Sequence, residues 1–245
     1  SNDYQLMLVT TEALVLSKTN YSETSLIVRC YTRSDGIKSY IIKGVKQGRK
    51  GNKTTALFQQ LNQLEITAHH KNKSGLSIPK SIKMSKPYQT IPFQMDKIAV
   101  VLFLSEVLSS ALREEEANAS LFHYLTSSLS WFDMQDDVAN FHIFFLLSLT
   151  KHLGFFPDVR DQNHPYFDME NGCFSIQKST QQIDDPRTIS IFKSFLGTTF
   201  DKLSKVLVSS TERKQLLELL MQYYQIHLQG FSRPKSLNIL HEIYS

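Results

Sequence analysis

Residues 25–46 read SLIVRCYTRSDGIKSYIIKGVK, and this stretch decides the first half of the fold. Ser25–Tyr31 is a compact β-branched run, Ser34-Asp35-Gly36 a turn, and Ile37–Lys43 a second run. Two such runs around a polar, glycine-containing turn predict paired strands. Upstream, Leu6–Leu16 alternates loosely. Downstream, Leu64–Ala68 and a segment within Ser77–Met84 flank the turn-like KNKSG at 71–75. About five short strands in so few residues suit a small closed sheet, a five-stranded barrel. About 80 residues is short for a seven-stranded sandwich, which favours the barrel.

After Pro87 and Pro92 the periodicity becomes helical. Asp96 is a candidate cap for a helix through Leu112, with Ile98, Val101, Leu102, Ser105, Leu108 and Leu112 at 3–4 spacing. Asn118 opens a second helix, Asp137 a third ending before Gly154, and Asp185-Pro186 a fourth. Ser209, with Glu212 three residues on, is a capping box opening a fifth that stops at Gly230. Turn signals at Pro157, Asn163–Pro165 and Asn171-Gly172 mark 155–178 as a loop-rich insert with a small hairpin, YFDMENGCFSI. The run Glu114–Glu116 reads as a solvated helix end. The expected class is α+β, with a barrel module at 1–86 and a helical module at 87–245.

The 245 residues carry a net charge of only +4, with 41% apolar and 20% charged residues, an ordinary globular profile. The longest strongly apolar stretch, Ile98–Leu104, is far shorter than the roughly 18 residues a membrane span needs. No secretory signal is visible in SNDYQLMLVT, and two cysteines, Cys30 and Cys173, fit a reducing cytoplasm. The small net charge hides a division. Residues 1–90 hold 14 Lys/Arg against 5 Asp/Glu, a balance of +9; residues 91–245 hold 13 against 18, a balance of −5. The basic half suits a polyanion.

Its densest cluster is Lys43, Lys46, Arg49, Lys50 and Lys53, interleaved with Gly44, Gly48 and Gly51 and free of acids. Glycine lets the backbone approach a phosphate, and each cation neutralises phosphate and releases counterions. Arg29, Arg33 and Lys38 precede the cluster, and Lys71 and Lys73 occupy a later turn. Tyr31, Tyr40 and Phe58 offer either stacking faces or core. No recognition helix follows a turn in the basic half, so backbone-directed binding is expected.

Motifs for bond chemistry are missing. No G-x-x-x-x-G-K-[ST], G-x-G-x-x-G or G-x-S-x-G occurs. Asp158, Asp161, His164 and Asp168, with Glu170 and Cys173 nearby, could hold a hard divalent ion, but the spacing matches no ligand pattern. His69-His70 sit adjacent on a strand and point to opposite faces. No cofactor, metal or catalytic residue is expected.

Asn20-Tyr21-Ser22-Glu23-Thr24-Ser25-Leu26-Ile27-Val28, then Thr32 and Gly36, then Lys43-Gly44-Val45-Lys46, resembles the bacterial recombination mediator RecO family. That family shows a Y-S-E-x-S strand entry, a T-x-x-x-G turn and a K-G-[AV]-[RK] exit into a basic loop. Leu153-Gly154 to Pro157 resembles its L-G-x-x-P helix end, and Tyr166–Gly172 its zinc-module hairpin. The resemblance implies an N-terminal oligonucleotide-binding (OB) barrel and a helical domain. It implies binding of single- and double-stranded DNA, annealing of complementary strands, and loading of RecA, with RecR, onto DNA coated by single-stranded DNA-binding protein (SSB). It also implies a helical domain that takes the acidic, apolar-ended SSB tail, for which Lys202–Lys205, Arg233 and Lys235 supply charge. ATP is not used. The resemblance marks Arg29, Arg33, Lys38, Lys43, Lys46, Arg49 and Lys50 as DNA contacts. Many members hold zinc with two cysteine pairs; here Cys173 is the one cysteine in that region, and a four-cysteine site is impossible. Packing of Phe155, Phe156, Tyr166, Phe167 and Phe174 should hold the insert instead. Two other readings are a general nucleic-acid-binding barrel with an unrelated helical module, and a metal-dependent enzyme using the acidic insert.

Overall fold

A computed structural model describes residues 7–45, 54–70 and 75–244. Six pairing segments build one sheet: β1 (Met7–Asn20), β2 (Leu26–Thr32), β3 (Gly36–Ile42), β4 (Gln63–His70), β5 (Leu76–Ser77) and β6 (Pro79–Lys86), in the order β5-β3-β2-β1-β4-β6. Strand β1 serves two partners. Its first half, from Met7, lies antiparallel to β4; its second half, to Asn20, lies antiparallel to β2. A bulge between Val15 and Ser17 bends the strand. At the edges, β5 runs parallel to β3 and β6 antiparallel to β4. Ile78 alone separates β5 from β6, so the segment 76–86 reaches both edges and curls the sheet into an OB-like barrel. The one final strand expected from sequence is split because Pro79 has no N–H for the ladder, and the register shifts beside it between Thr67 and Ala68.

Val15, Val28, Cys30, Tyr40, Phe58, Leu64, Ile66 and Ala68 fill the barrel. Burial pushes the Cys30 thiol up to about 12, so it packs as a small apolar group. The β2–β3 turn is set by its own residues. Thr32 Oγ1 accepts from Asp35 N (3.1 Å) and donates to Gly36 O (2.7 Å). Gly36 has φ +65°, and a Cβ there would stand 2.4 Å from Glu114 O. Ile37 N donates to that same Glu114 carbonyl at 2.9 Å. The Glu114–Glu116 side chains are exposed, as expected, but their main chain docks on the start of β3.

Helices α1 (Met95–Ala111) and α2 (Ala119–Asp133) share a compact unit with the sheet, which extends to Met134. Asn118 caps α2, accepting from Leu121 N at 3.0 Å. The cap of α1 is Gln94 rather than Asp96, which instead accepts from Lys97 N in the first turn. Helix α1 is buried nearly all round: Lys97, Val100, Phe103, Leu104, Val107 and Leu108 are inside, while Ile98 and Leu102 are half-buried. A polar knot secures its entry. The Asp133 carboxylate accepts from the backbone N–H groups of Gln89 (2.7 Å), Thr90 (2.9 Å) and Ile91 (2.9 Å). Lys97 Nζ, fully buried, donates to Thr90 Oγ1 (2.7 Å) and Asp133 O (3.0 Å).

The second unit begins at Gln135 and holds α3 (Phe141–Leu153), α4 (Pro186–Leu196), α5 (Ser210–His227) and α6 (Leu237–Ile243). Helix α3 starts later than Asp137 because Asn140, at its cap, is engaged elsewhere. Its Nδ2 donates to Val206 O (2.9 Å) and its Oδ1 accepts from Arg213 Nε (3.0 Å). The capping box of Ser209 and Glu212 is formed, but α5 ends at His227, before Gly230. The insert carries a small sheet, β8-β7-β9, of β7 (Tyr166–Asp168), β8 (Cys173–Ser175) and β9 (Gln182–Ile183). Phe167 packs on Phe174 and Phe192 (ring centroids 5.1 and 4.8 Å), and Phe155 stacks on His227 (5.2 Å). Among the described residues no helix is long and apolar enough to cross a membrane.

Two stability outcomes follow. Gly36→Ala should lower the unfolding free energy by about 3 kcal/mol, through strain and a clash with fixed backbone. Gly44→Ala, also at positive φ but with nothing within 4 Å of the new Cβ, should cost about 1 kcal/mol. Urea titration of both variants checks the contrast. Burial disfavours the Asp133 charge, but the N–H groups of Gln89, Ile91 and Thr90 outweigh it and hold the carboxyl below its ordinary range. A folded value below the unfolded value of about 3.9 means stability that is complete above that pH and lost as pH falls through the folded value. Acid titration of unfolding should show this loss below about pH 4, and Asp133→Asn, weaker by about 2 kcal/mol at neutral pH, should show a shallower one.

Candidate nucleic-acid interface

Two buried residues, Val45 and Phe58, bracket the basic segment 46–53 in sequence. Lys43 is exposed just past β3, Gly44 turns at φ +73°, and Val45 is fully buried, its N–H donating to Thr24 O at 3.0 Å. The chain is described again from a helical turn at 54–57, followed by Phe58 at 1% exposure. Lys46, Arg49, Lys50 and Lys53 lie between these two residues in sequence, outside the described residues, as do Lys71 and Lys73. Exposed Lys43 marks the start of the segment.

The three earlier cations are placed differently from one another. Arg29 on β2 is partly buried, and its Nη1 and Nη2 donate to Ser109 O (2.9 Å) and Leu112 O (2.8 Å) at the C-terminal end of α1. A cation there meets the negative end of the helix dipole and satisfies carbonyls the helix leaves open. Arg33, in the β2–β3 turn, pairs with Glu12 (2.8 Å) and lies 5.2 Å from the Phe122 ring centroid, with about half its side chain exposed. Lys38 on β3 is buried. It neighbours a polar chain in which Ser34 Oγ bonds Asp35 Oδ2 (2.5 Å), Asp35 Oδ2 bonds His70 Nδ1 (2.6 Å) and His70 Nε2 bonds Tyr40 Oη (2.7 Å). An ionised carboxylate only accepts, so Nδ1 carries the proton in that bond. Burial opposes the Asp35 charge, but Ser34, His70 and Lys38 together hold it below the usual carboxylate range. This chain ties the turn to the end of β4 at His70.

The three aromatics offered as stacking faces are core. Tyr31, Tyr40 and Phe58 are each no more than 1% exposed; Tyr31 stacks on Phe122 (6.2 Å) and Tyr40 is bound to His70. Tyr31 on β2 and Tyr40 on β3 lie on strands whose two faces both need apolar cover, and Phe58, just after the helical turn at 54–57, packs into the barrel core. Sequence reading passed over the lysines of β6. Lys80, Lys83 and Lys86 are exposed there, Lys83 pairing with Glu65 at 3.0 Å. The signal was legible in PKSIKMSK, although a spacing of three on a strand alternates faces and builds no single row.

Two acids of the insert, Asp158 and Asp168, are committed internally. Asp158 binds Arg160 (2.9 and 3.0 Å to Nε), which holds its carboxyl down at about 2. Asp168 accepts from Glu170 N (3.0 Å), Asn171 N (3.2 Å) and Asn171 Nδ2 (2.7 Å). No group of three or more His, Cys, Asp or Glu able to hold a metal ion occurs among the described residues. Cys173 stands alone in the insert and burial raises its thiol, so these residues do not fit a zinc module. Aromatic packing occupies its place.

An OB-like sheet followed in the chain by helices and a small β insert places the protein in the class of OB-type proteins with a helical module. Residues 7–88 match the family model "Recombination protein O N terminal" and residues 92–237 match "Recombination protein O C terminal". The chain belongs to the RecO family. It is 42% identical over 238 residues to the DNA repair protein RecO of Christiangramia forsetii, covering 97% of this chain and all of that one. It is 43% identical over 239 residues to that of Flavobacterium johnsoniae (98% and 100% covered) and 35% identical over 242 residues to that of Phocaeicola vulgatus (98% and 100%).

Arg29→Ala should act on stability first. Losing two charge-assisted bonds to helix carbonyls should cost about 2 kcal/mol in denaturant unfolding.

Proposed function

We propose that the chain binds single- and double-stranded DNA through its barrel module, residues 1–86, and anneals complementary strands. With RecR it helps load RecA onto SSB-coated DNA, and its helical module takes the SSB tail. It works in the cytoplasm without a cofactor and makes or breaks no covalent bond. The proposed contact set is Lys43, Lys46, Arg49, Lys50 and Lys53, with Arg33, Lys71 and Lys73; Lys38 is left out of it because it is buried on β3. One observation carries the reading: the +9 balance of the first ninety residues, densest at 43–53, a segment bracketed by Val45 and Phe58, which are buried in the core of an OB-like barrel.

The mechanism is electrostatic. Two single strands repel because both are polyanions. A basic surface lowers that repulsion and raises the local strand concentration, so pairing nucleates faster. The acidic balance of the rest of the chain directs strands to the barrel.

Replacing Lys43, Lys46, Arg49 and Lys50 together by Ala tests this. If each meets a phosphate, the slope of log affinity against log salt for a single strand should shrink by about 3, and annealing of SSB-coated strands should slow at least about tenfold. An unchanged slope would place the contact surface elsewhere.

A further inference from the structure

The first unit holds a cavity of about 320 Å³ at the seam where β5 joins β3. The described residues that line it are Ile37, Lys38 and Ser39 of β3, Gly75, Leu76 of β5, and Glu115. Parallel pairing of the two strands begins at Ser39 and Leu76, so Ile37, Lys38 and Gly75 precede the seam.

Glu115 is held at the cavity by its neighbours. Ile37 N donates to Glu114 O at 2.9 Å, and a Cβ on Gly36 would stand 2.6 Å from Glu116 O. The main chain on both sides of Glu115 therefore rests on the start of β3, while its side chain is exposed. Lys38 is 9% exposed and stands near Asp35, whose charge it helps to hold. Out of reach of a surface phosphate, it still lines the cavity. An acidic and a basic residue thus meet there beside two apolar ones, Ile37 and Leu76, and Leu76 is 40% exposed.

We propose that this cavity takes an unstacked guanine from a single strand, its Watson–Crick edge on Glu115 and Lys38 and its ring against Ile37 and Leu76. The assignment rests on the reading above, in which the barrel binds DNA, and adds a base preference to contacts that are otherwise with the backbone. The donor pattern selects the base. An ionised carboxylate only accepts, through two oxygens side by side, and an ammonium only donates. Guanine alone among the DNA bases offers two adjacent donors, N1–H and the N2 amino group, with the carbonyl acceptor O6 next to them. Adenine and cytosine each set one amino donor beside a ring-nitrogen acceptor, and thymine sets one N–H between two carbonyls. The two charges also disfavour simpler occupants: Glu115 repels a phosphate, and Lys38 repels a metal cation. The volume, at the small end of the roughly 300–1,000 Å³ usual for ligand sites, suits one base. The ring would cover the exposed apolar surface of Leu76. Docking of the Glu115 main chain beforehand lowers the ordering cost of binding.

Fluorescence anisotropy of the full-length chain tests the site. The probes are labelled thymidine oligonucleotides with one central base: guanine, hypoxanthine, which lacks the N2 amino group, or thymine. The guanine strand should bind about tenfold more tightly than the thymine strand, with hypoxanthine in between. Glu115→Gln, at an exposed position, turns one acceptor into a donor that faces the guanine donors. It should abolish the preference while the thymine strand binds at least as tightly as before, because a negative charge is gone. Glu116→Gln removes the same charge and should keep the preference. Free deoxyguanosine monophosphate, at the concentration of the strand, should not displace it. Equal affinity of the wild-type chain for all three strands would remove the base pocket and leave backbone binding standing. No binding of any strand at low ionic strength would overturn both the pocket and the proposed function. An equal gain for the guanine and thymine strands in Glu115→Gln would make Glu115 a repulsive charge and nothing more. Displacement by the free nucleotide would overturn the strand in favour of a nucleotide site.

Discussion

Closure of the sheet by one bent segment is the constraint on which the rest of the first unit depends. Residues 76–86 pair with β3 through Leu76 and Ser77 and with β4 from Pro79 onward. Without both pairings the sheet has two open edges and its apolar face is uncovered. With them, Tyr40, Ile66 and Ala68 are enclosed, and so are Val45 and Phe58, the buried residues on either side of the basic segment in sequence. The bulge in β1 contributes to the same curvature by turning the strand between its two partners.

Charge in this protein divides into what is spent on the fold and what is left to act. Arg29 is consumed by the carbonyls at the end of α1. Lys97 and Asp133 are consumed in the knot around Thr90. Arg33 is shared, with an ion pair to Glu12 at a half-exposed site where such pairs contribute little. Lys43, Lys80 and Lys86 are exposed. The second unit shows the same economy in its insert, where Asp158 and Asp168 satisfy Arg160 and local N–H groups.

Strands and helices with strong local signals were legible in the sequence. The Thr32–Gly36 turn, the Asn118 cap and the Ser209–Glu212 capping box are local devices, and local devices can be read from a few residues. What stayed hidden depends on distant partners. The division of the last strand at Pro79, the late start of α3 at Phe141, and the docking of the Glu114–Glu116 main chain on Gly36 each require a segment far away in sequence. Burial of Tyr31 and Tyr40 was open for a related reason: an aromatic on a strand serves a core or a ligand equally well until the opposite wall is known. For the interface, the basic loop was legible as composition, whereas the consumption of Arg29 was not, because its acceptors are main-chain carbonyls some eighty residues on. The lysines of β6 were visible but carried no motif.

Lysine reactivity offers the most direct test of the central proposal, that polynucleotide backbone meets the protein at residues 43–53. The full-length chain is acetylated briefly, with and without a single-stranded oligonucleotide at low ionic strength, and the modified lysines are quantified by mass spectrometry. The account predicts that Lys43, Lys46, Lys50 and Lys53 lose reactivity together while Lys202, Lys205 and Lys214 keep theirs. Protection of the helical lysines with the loop left reactive would contradict it.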